Sequence, residues 1–334
     1  MLSTAIDRIE YALPTHTVSN EELSRNFPAW SIPRIAAKTG IESRCVALPE
    51  ECASDLAVEA AQKIFSSGIV STSEIDFVLF CTQSPDYLIP TTACLIHRRL
   101  GISPSSGALD VNLGCSGFVY ALGLCDGLIQ SRQAKTILLL TGDTYSKYME
   151  LGDKNSALIF GDGAAATLVR ARDVAEPLIG PYVYGTDGNG ANYLMLPGSG
   201  TRGRCITEKD NACSKLCMDG SKMFQFAVET VPVCVGALLQ KASLKIDDID
   251  LFFFHQANDY ILEEISRRLG VSRSRVPFEA SQSANTVSST IPIAMRNALN
   301  RGAIGHGAVM MLIGFGVGLS WAGTIVRWHP VPQA

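Results

Sequence analysis

An internal duplication constrains the fold of this chain more than any other feature of its sequence. Residues 75–87 read IDFVLFCTQSPDY and residues 249–260 read IDLFFFHQANDY, so each segment joins a buried-strand run to a polar loop. Two further pairs follow in the same order: RRLGIS (98–103) with RRLGVS (267–272), and FGDGAAATLVR (160–170) with GFGVGLSWAGTIVR (314–327). Three matches in one order indicate two copies of one structural unit, since chance similarity would not preserve the order.

Each copy alternates short apolar strands with helices. AKTILLLTGD (134–143) has the pattern of a buried strand, and SDLAVEAAQKIFSS (54–67) has apolar residues at helical spacing, with Ser54 as the expected N-cap. Buried strands that alternate with helices predict sheets covered on both faces. We therefore expect an α/β protein, a five-layered α-β-α-β-α sandwich built from residues 1–172 and 173–334, with the active residues at the seam.

Composition narrows the classes of partner. The chain has 334 residues, of which 47% are hydrophobic and 18% are charged, so it can bury a large core. Its formal net charge is -4, and no dense cluster of lysine and arginine indicates a nucleic-acid surface. Small molecules or folded proteins are the expected partners.

The ten cysteines are scattered and need no disulfide framework in a chain of this size. With no basic-then-apolar segment at the start, this predicts reduced thiols in the cytoplasm. Cys213 and Cys217 form an isolated C-x-x-x-C without a nearby histidine, so no metal site is expected. Residues 307–326 carry no charge and are long enough to span a membrane, but three glycines divide them, which favours two strands joined by a turn and no membrane span.

A cysteine stands where an extended run changes into a helical one, within GALDVNLGCSGFVYALGL (107–124). Gly114 and Gly117 permit a sharp turn and close approach of a substrate to Cys115. A thiol in the first turn of the following helix, which is expected to be buried on all sides, would meet peptide dipoles that favour the thiolate. Cys115 is therefore a candidate nucleophile, although a small core residue is the alternative.

The second copy supplies two further candidates. His255 ends the strand-like run DLFFF, where it can be a general base, a hydrogen-bond donor or a structural histidine. Asn285 follows RRLGVS much as Cys115 follows RRLGIS, although an asparagine before threonine is commonly a helix cap. Duplication would bring the three side chains together where the halves meet.

Together these three groups suit acyl chemistry. A thiolate can hold an acyl group as a thioester. Neutral histidine and an asparagine amide can donate hydrogen bonds to the enolate that forms when a malonyl group loses carbon dioxide. The glycine loop Gly316-Val317-Gly318 can offer a backbone N–H to the thioester oxygen.

The motifs NLGCSGF, HQAN, ANTVSSTIP, FGDGAAA, GFGVGLSW and KTGIESR extend over essentially the whole chain. They resemble the β-ketoacyl-[acyl-carrier-protein] synthase III family of the thiolase superfamily. The resemblance implies the thiolase-like sandwich, a homodimer, Cys115 as acyl-accepting nucleophile, and His255 with Asn285 as the decarboxylation pair. It also implies an oxyanion hole made by the backbone N–H groups of Cys115 and Val317.

Related families match less well. Degradative thiolases carry a second cysteine in the C-terminal glycine loop, and residues 314–318 have none. Elongating ketosynthases use a second histidine where this chain has Asn285. Chalcone-synthase-like enzymes usually have proline where Val317 stands.

The resemblance also implies a substrate-binding set: Arg34, Lys38, Ile89, Lys154, Asn258 and Phe315. Arg34 and three residues outside this set depart from the family pattern. Arg34 stands where a tryptophan stacks the adenine of coenzyme A, and the nearest tryptophan, Trp30, is offset by four residues. Tyr260 stands where an arginine docks the carrier protein, and Val317 and Ala284 each replace a glycine. Ile89 would cross the dimer to line the acyl pocket, which indicates a short or medium acyl chain.

The expected reaction is a decarboxylative Claisen condensation of an acyl thioester with a malonyl thioester, giving a 3-oxoacyl thioester. Coenzyme A or acyl-carrier-protein phosphopantetheine would carry the substrates, and no resident cofactor is expected. The departures leave open whether the enzyme initiates fatty-acid synthesis or serves a specialised pathway. Two alternatives remain: transfer of the acyl group from Cys115 to an alcohol or amine with His255 as base, and a non-catalytic scaffold.

Overall fold

Two mixed β-sheets organise the computed structural model, which describes residues 1–29, 31–150, 152–203 and 215–329. The first sheet has the strand order β1-β7-β6-β4-β5. Its strands are β1 (Leu2–Ala12), β4 (Phe77–Cys81), β5 (Gly107–Val111), β6 (Thr136–Asp143) and β7 (Gly163–Asp173). Strand β4 runs parallel to β5 and β6, whereas β7 is antiparallel to both β6 and β1.

The second sheet repeats this arrangement with four strands in the order β8-β13-β12-β11. Its strands are β8 (Ile179–Thr186), β11 (Leu251–Phe254), β12 (Val309–Gly316) and β13 (Ser320–Arg327). Strand β11 is parallel to β12, and the other neighbours are antiparallel. The segment in the place of β5, residues 276–280, forms no strand. Strand order and direction therefore match the duplication in the sequence.

Helices fill three layers around these sheets. Helices α5 (Gly117–Gln130) and α10 (Thr290–Asn300) lie between the sheets, in a core that includes Leu79 of β4 and Leu312 of β12. Helices α3 (Ala53–Ser66) and α4 (Thr92–Leu100) cover the outer face of the first sheet. Helices α8 (Gly220–Ala242) and α9 (Asp259–Leu269) cover the second sheet. The α-β-α-β-α sandwich is confirmed.

Shorter strands and helices lie outside the two sheets and their covering helices. The strands are β2 (Thr17–Ser19), β3 (Ser43–Cys45), β9 (Leu194–Met195) and β10 (Cys217–Met218). The helices are α1 (Asn20–Asn26), α2 (Ile32–Thr39), α6 (Lys154–Ala157) and α7 (Gly200–Gly203). Strand β2 pairs with β3, and β9 pairs with β10.

Two local predictions fail for physical reasons. The N-cap of α3 is Cys52 and not Ser54, because the Asp55 carboxylate accepts the Cys52 N–H at 2.7 Å. The Ser54 hydroxyl donates instead to Asp86 at 2.6 Å. Helix α5 is not buried on all sides, since Leu124 is 47% exposed.

Three segments bear on the expectations about membrane spans and metal sites. Residues 307–326 do form two strands, β12 and β13, joined by a glycine turn. By length and composition α8 alone among the described helices could span a membrane, and its Val231, Val235 and Leu238 pack in the core of the second sheet. Of the Cys213–Cys217 spacing, at which no metal site is expected, Cys213 lies outside the described residues.

Candidate active site

Cys115 lies in the turn between β5 and α5, two residues before the helix begins at Gly117. Its side chain is buried, with 4% of the residue exposed. Gly316, at the end of β12, closes over it: a methyl group on Gly316 would lie 2.6 Å from Cβ and 2.8 Å from Sγ of Cys115. The seam between the halves therefore requires a glycine opposite the thiol.

The thiol is not the thiolate that the sequence predicted. Burial, with a smaller contribution from the negative charge of Asp143, raises the pKa of Cys115 to about 12. The backbone N–H groups of Val317 and Cys115 bond the sulfur and act in the opposite direction. Desolvation outweighs these peptide dipoles, so Cys115 is a neutral thiol in the free protein. These are the two N–H groups that the sequence predicts as an oxyanion hole.

His255 follows β11 and is held on two sides. Its backbone N–H donates to the Ile313 carbonyl at 2.9 Å, and its Nδ1 lies 2.7 Å from the Thr290 hydroxyl. The ring packs edge-on against Phe315, with centroids 5.5 Å apart. Burial lowers the pKa of His255 to about 3, so the imidazole is neutral near pH 7.

Asn285 is anchored through its backbone to the segment before β7. Its N–H donates to the Ile159 carbonyl at 2.9 Å, and its carbonyl accepts the Gly161 N–H at 3.0 Å. Its Oδ1 accepts the Val287 N–H at 2.9 Å, which leaves Nδ2 3.4 Å from Nε2 of His255. The side chain is therefore no cap of α10, whose N-cap is Ser289.

The turn that carries Asn285 is strained. Ala284 and Val287 both adopt left-handed backbone conformations, with φ of 61° and 56°. Non-glycine residues rarely occupy this region, and a β-branched residue there is a marked outlier. The alanine at the family's glycine position therefore costs energy, and such strain persists where surrounding contacts fix a functional turn.

A cavity of about 330 Å³, the reaction cavity, brings the candidate residues together. Its walls include all three candidate catalytic residues, and also Lys154, Asn258, Phe315 and Gly316. A second cavity of about 530 Å³, the side cavity, is lined by Gln83, Tyr145, Tyr148 and Val317, among others. Leu194 lines both cavities and packs in the same cluster as Cys115. Cys115 thus lines the reaction cavity, and its packing neighbour Leu194 lies between that cavity and the side cavity.

Two stacked aromatic rings, those of Tyr260 and Phe224, lie at the mouth of the reaction cavity. The Lys38 ammonium lies 4.1 Å from the ring centroid of Tyr260, and Phe224 stacks on Tyr260 at 5.2 Å. These residues line a third cavity of about 400 Å³ together with Asn258, which also caps α9 by accepting the Ile261 N–H at 3.0 Å. Tyr260 therefore offers ring faces where the family pattern has a positive charge.

Two of the predicted substrate-binding residues lie away from the three cavities. Arg34 is exposed on α2, and its neighbour Ile35 lines the reaction cavity instead. Ile89 is 88% exposed on the loop before α4. Trp30 lies outside the described residues.

Sequence reasoning missed the residues that hold the site in place. Asp143, fully buried at the end of β6, accepts hydrogen bonds from the Gln83 N–H at 2.7 Å and the Ser288 hydroxyl at 2.6 Å. Burial raises its pKa to about 7. Ser116 and Ser320 share a hydrogen bond of 2.7 Å between their hydroxyls. These contacts join the two halves. In the sequence, the only indication of them is Asp143, a charged residue at the end of the apolar strand TILLLTGD.

No metal centre emerges among the described residues, because no three His, Cys, Asp or Glu side chains converge there. The geometry supports acyl chemistry: it supplies a thiol for acyl transfer, two backbone N–H groups that can bond an oxyanion, and two side chains with polar nitrogens facing the same space.

Comparisons with known proteins agree with this geometry. Residues 109–188 match the family model described as 3-Oxoacyl-[acyl-carrier-protein (ACP)] synthase III, and residues 239–328 match the model of its C-terminal part. A relative from Streptomyces coelicolor, Beta-ketoacyl-[acyl-carrier-protein] synthase III 3, is 35% identical over 96% of this chain and 95% of the relative.

Solved structures show the same similarity. A 3-oxoacyl-(acyl-carrier-protein) synthase III crystal structure is 41% identical, with a TM-score of 0.95 over 98% of this chain and all of the other. The priming β-ketosynthase of the R1128 polyketide pathway is 30% identical, with a TM-score of 0.89 over 99% of this chain and 97% of the other.

Proposed function

The chain belongs to the 3-oxoacyl-[acyl-carrier-protein] synthase III family, and on that premise we propose roles for its three central side chains. It is an acyltransferase that condenses an acyl thioester with a malonyl thioester. The observation that supports the roles is the convergence of Cys115, His255 and Asn285 on one cavity.

Cys115 accepts the acyl group in the first step. Its sulfur attacks the thioester carbonyl, the oxyanion receives hydrogen bonds from the N–H groups of Cys115 and Val317, and the carrier leaves as a free thiol. The thiol proton ends on the departing sulfur. Because burial keeps Cys115 protonated until substrate arrives, the neutral His255 imidazole is the group suited to relay that proton.

His255 and Asn285 serve the second step. Malonyl thioester loses carbon dioxide, and the electrons of the broken C–C bond move into an enolate. An N–H from each side chain donates to the enolate oxygen. A neutral histidine suits this task, and burial holds His255 neutral across the physiological range.

The enolate carbon then attacks the acyl-Cys115 carbonyl. A carbon–carbon bond forms, the carbon–sulfur bond to Cys115 breaks, and the sulfur leaves as a thiolate that takes up one proton from solvent. The products are a 3-oxoacyl thioester and carbon dioxide, and the enzyme returns to its starting state.

Intact-protein mass spectrometry tests these roles. The wild-type chain should gain one acyl mass on incubation with an acyl thioester, and addition of malonyl thioester should remove that mass and release carbon dioxide. Cys115→Ala should gain no acyl mass. An acylated protein that passes its acyl group to an alcohol or amine, without release of carbon dioxide, would replace this proposal with simple acyl transfer.

We infer that the substrates arrive on a phosphopantetheine arm through the reaction cavity, with no resident cofactor. Lys154 and Asn258 line this route, and Lys38 stands beside its mouth. Lysine attracts phosphate as a point charge. Relatives named for an acyl-carrier protein favour that carrier, and the exposed position of Arg34 gives no support for adenine stacking there. Neither fatty-acid initiation nor a specialised pathway is favoured by these contacts.

We also propose a homodimer in the cytoplasm. Strand β5 is an edge of the first sheet and carries exposed Leu109; Leu124 on α5 and Leu88 in the loop after β4 are exposed as well. Unpaired strand edges with exposed apolar residues favour pairing with a second copy. Ile89 would then reach the partner's acyl site. The described cysteines are free thiols, as a reducing compartment requires.

A further inference from the structure

The side cavity is the space best suited to the acyl chain, an interpretation that rests on the proposed acylation of Cys115. The side cavity and the reaction cavity share Leu194 and take their apolar walls from the cluster that holds Cys115. The reaction cavity contains the residues expected to hold the carrier arm, Lys154 and Asn258. The side cavity is therefore the space available to the acyl chain bound to Cys115.

Polar side chains line much of this space. Gln83, Asn112, Tyr148 and Ser199 contribute to the side cavity beside its leucines. An alkyl chain placed against the Gln83 amide would displace water from Nε2 without replacing its hydrogen bond, which costs about 1–3 kcal/mol. The cavity is therefore poorly matched to a plain hydrocarbon chain.

Gln83 is held in one orientation. Its backbone N–H donates to the buried Asp143 carboxylate at 2.7 Å, and its Oε1 accepts the Tyr145 hydroxyl at 2.6 Å. Burial raises the pKa of Tyr145 well above its ordinary value, so the phenol remains a donor. With Oε1 occupied, the amide presents Nε2 as a donor, and within the described ranges no group accepts from it.

This amide stands next to the nucleophile. A methyl group on Gly114, the residue before Cys115, would collide with the Gln83 side chain and lie 2.7 Å from Cγ1 of Val317. Val317 supplies an N–H of the oxyanion hole and also lines the side cavity. The near atoms of Gln83 are Oε1 and its amide carbon, and Nε2 on the same amide group is thus placed to reach an acyl chain within a few atoms of its thioester carbon.

The charge around the cavity restricts the acyl group further. Asp86 lines it, with Oδ2 bonded to the Ser54 hydroxyl at 2.6 Å and with Oδ1 buried and lacking a partner in the described part of the chain. No lysine, arginine or histidine contributes to the described lining. A carboxylate on the acyl chain would meet like charge, whereas a hydroxyl can accept from Gln83 and donate to a carboxylate.

We propose that this enzyme selects a short hydroxyacyl group, with Gln83 as the residue that recognises the hydroxyl through Nε2. The selection operates on the acyl group that Cys115 receives and is independent of whether coenzyme A or a carrier protein delivers it.

Acylation rates with pantetheine thioesters test this proposal, because that arm is common to both carriers. The panel is butyryl, 3-hydroxybutyryl, 4-hydroxybutyryl and succinyl pantetheine, followed by intact-protein mass spectrometry. A matched hydrogen bond predicts that one hydroxybutyryl thioester acylates Cys115 at least about 10-fold faster than butyryl. Succinyl should be slower than both.

Gln83→Leu removes the donor at nearly constant volume and should bring the two rates to within about 2-fold, by slowing hydroxybutyryl and accelerating butyryl. Gln133→Leu makes the same change at an exposed site and should retain the wild-type preference. Tyr145→Phe, which frees Oε1, should reduce the preference partially and serves if Gln83→Leu does not fold.

Each result decides something different. Equal or faster acylation by butyryl in the wild type overturns the selection, and so does a preference that survives in Gln83→Leu. Faster acylation by succinyl overturns the charge argument. Failure of every thioester to acylate Cys115 overturns the proposed function itself, and with it this inference.

Discussion

The Thr290 hydroxyl lies 2.7 Å from Nδ1 of His255 and 3.1 Å from the Val287 carbonyl, so one proton serves two acceptors. When the Thr290 hydroxyl donates to the Val287 carbonyl, Nδ1 of the imidazole carries the ring proton and donates to the hydroxyl oxygen. Nε2 is then unprotonated and faces the cavity as a base. When the Thr290 hydroxyl donates to Nδ1 instead, the ring proton is on Nε2, which can donate a hydrogen bond to an enolate. Thr290 thus lets one neutral histidine serve both proposed steps.

Thr290→Val removes this hydroxyl at similar volume. We expect condensation to fall about 10- to 100-fold, since a buried ring nitrogen loses its partner at a cost of about 1–3 kcal/mol. Acyl loading from an activated thioester should fall much less than release of carbon dioxide from malonyl thioester. Thr290→Ser should restore most of the activity, and a valine variant with unchanged decarboxylation would show that the hydroxyl only fills space.

His255 should remain neutral well below pH 6. Burial lowers its pKa to about 3, so its ring ¹³C and proton shifts should stay constant between pH 8 and pH 5. The five histidines can be labelled together, and His255→Asn identifies the signal by its loss. A midpoint near 6.5 for this signal would contradict the proposed neutral donor.

The same shift links stability to pH. The unfolded chain protonates His255 below its ordinary pKa of about 6.5, while the folded chain resists protonation until about pH 3. Unfolding therefore takes up a proton in this window, and stability falls as the pH falls from about 6.5 towards 3, by as much as about 1.4 kcal/mol per pH unit. His255→Asn should show a shallower loss of unfolding free energy over the same range.

Alkylation of Cys115 in the free enzyme should be slow at pH 7 and should rise continuously to pH 10 without a plateau. Burial raises its pKa to about 12, so the reactive thiolate is scarce throughout. Peptide mapping after iodoacetamide treatment measures this, with exposed Cys94 as the accessible reference in the same sample. A plateau below pH 8 would mean that the helix dipole had prevailed over burial.

Gly316→Ala should block acylation. Its methyl group would lie 2.8 Å from Sγ of Cys115, where no acylated sulfur can be accommodated. We expect acyl loading to fall at least about 100-fold, together with a lower melting temperature. Gly305→Ala is the matched control, since Gly305 is exposed and has open space around it. Loading that survives in Gly316→Ala would show that the loop yields.

The proposed dimer can be tested at the edge strand. Leu109→Glu places a charge on β5, where the side chain is 47% exposed in the single chain. Light scattering should give about twice the chain mass for the wild type and a shift towards the monomer for the variant. Val233→Glu, on the outer face of α8, should leave the mass unchanged. A monomeric wild type would refute the dimer.

Sequence patterns were sufficient to predict the layered α/β fold and to select the candidate residues. Repeated strands at 75–81 and 249–254, and the glycine-flanked Cys115, are local features that a duplicated sequence displays directly. The two sheets share strand order and direction, as expected of a repeat.

Local patterns failed where a long-range contact competed with them. Ser54 was predicted as a cap, yet Asp86, far along the chain, takes its hydroxyl. Helical position alone predicted a thiolate at Cys115, but packing of the opposite half over the sulfur decided its protonation.

The sequence by itself determined two duplicated α/β halves and the Cys115, His255 and Asn285 set, because strand pattern and residue type are properties of short segments. Only the tertiary structure decided that Thr290 contacts His255, that Asp143 joins the halves, and that Gln83 lines a polar cavity next to Cys115. The first two relations join residues 35 and 145 positions apart in the chain. Burial and hydrogen bonding at that range depend on how the two halves pack, which no local pattern encodes.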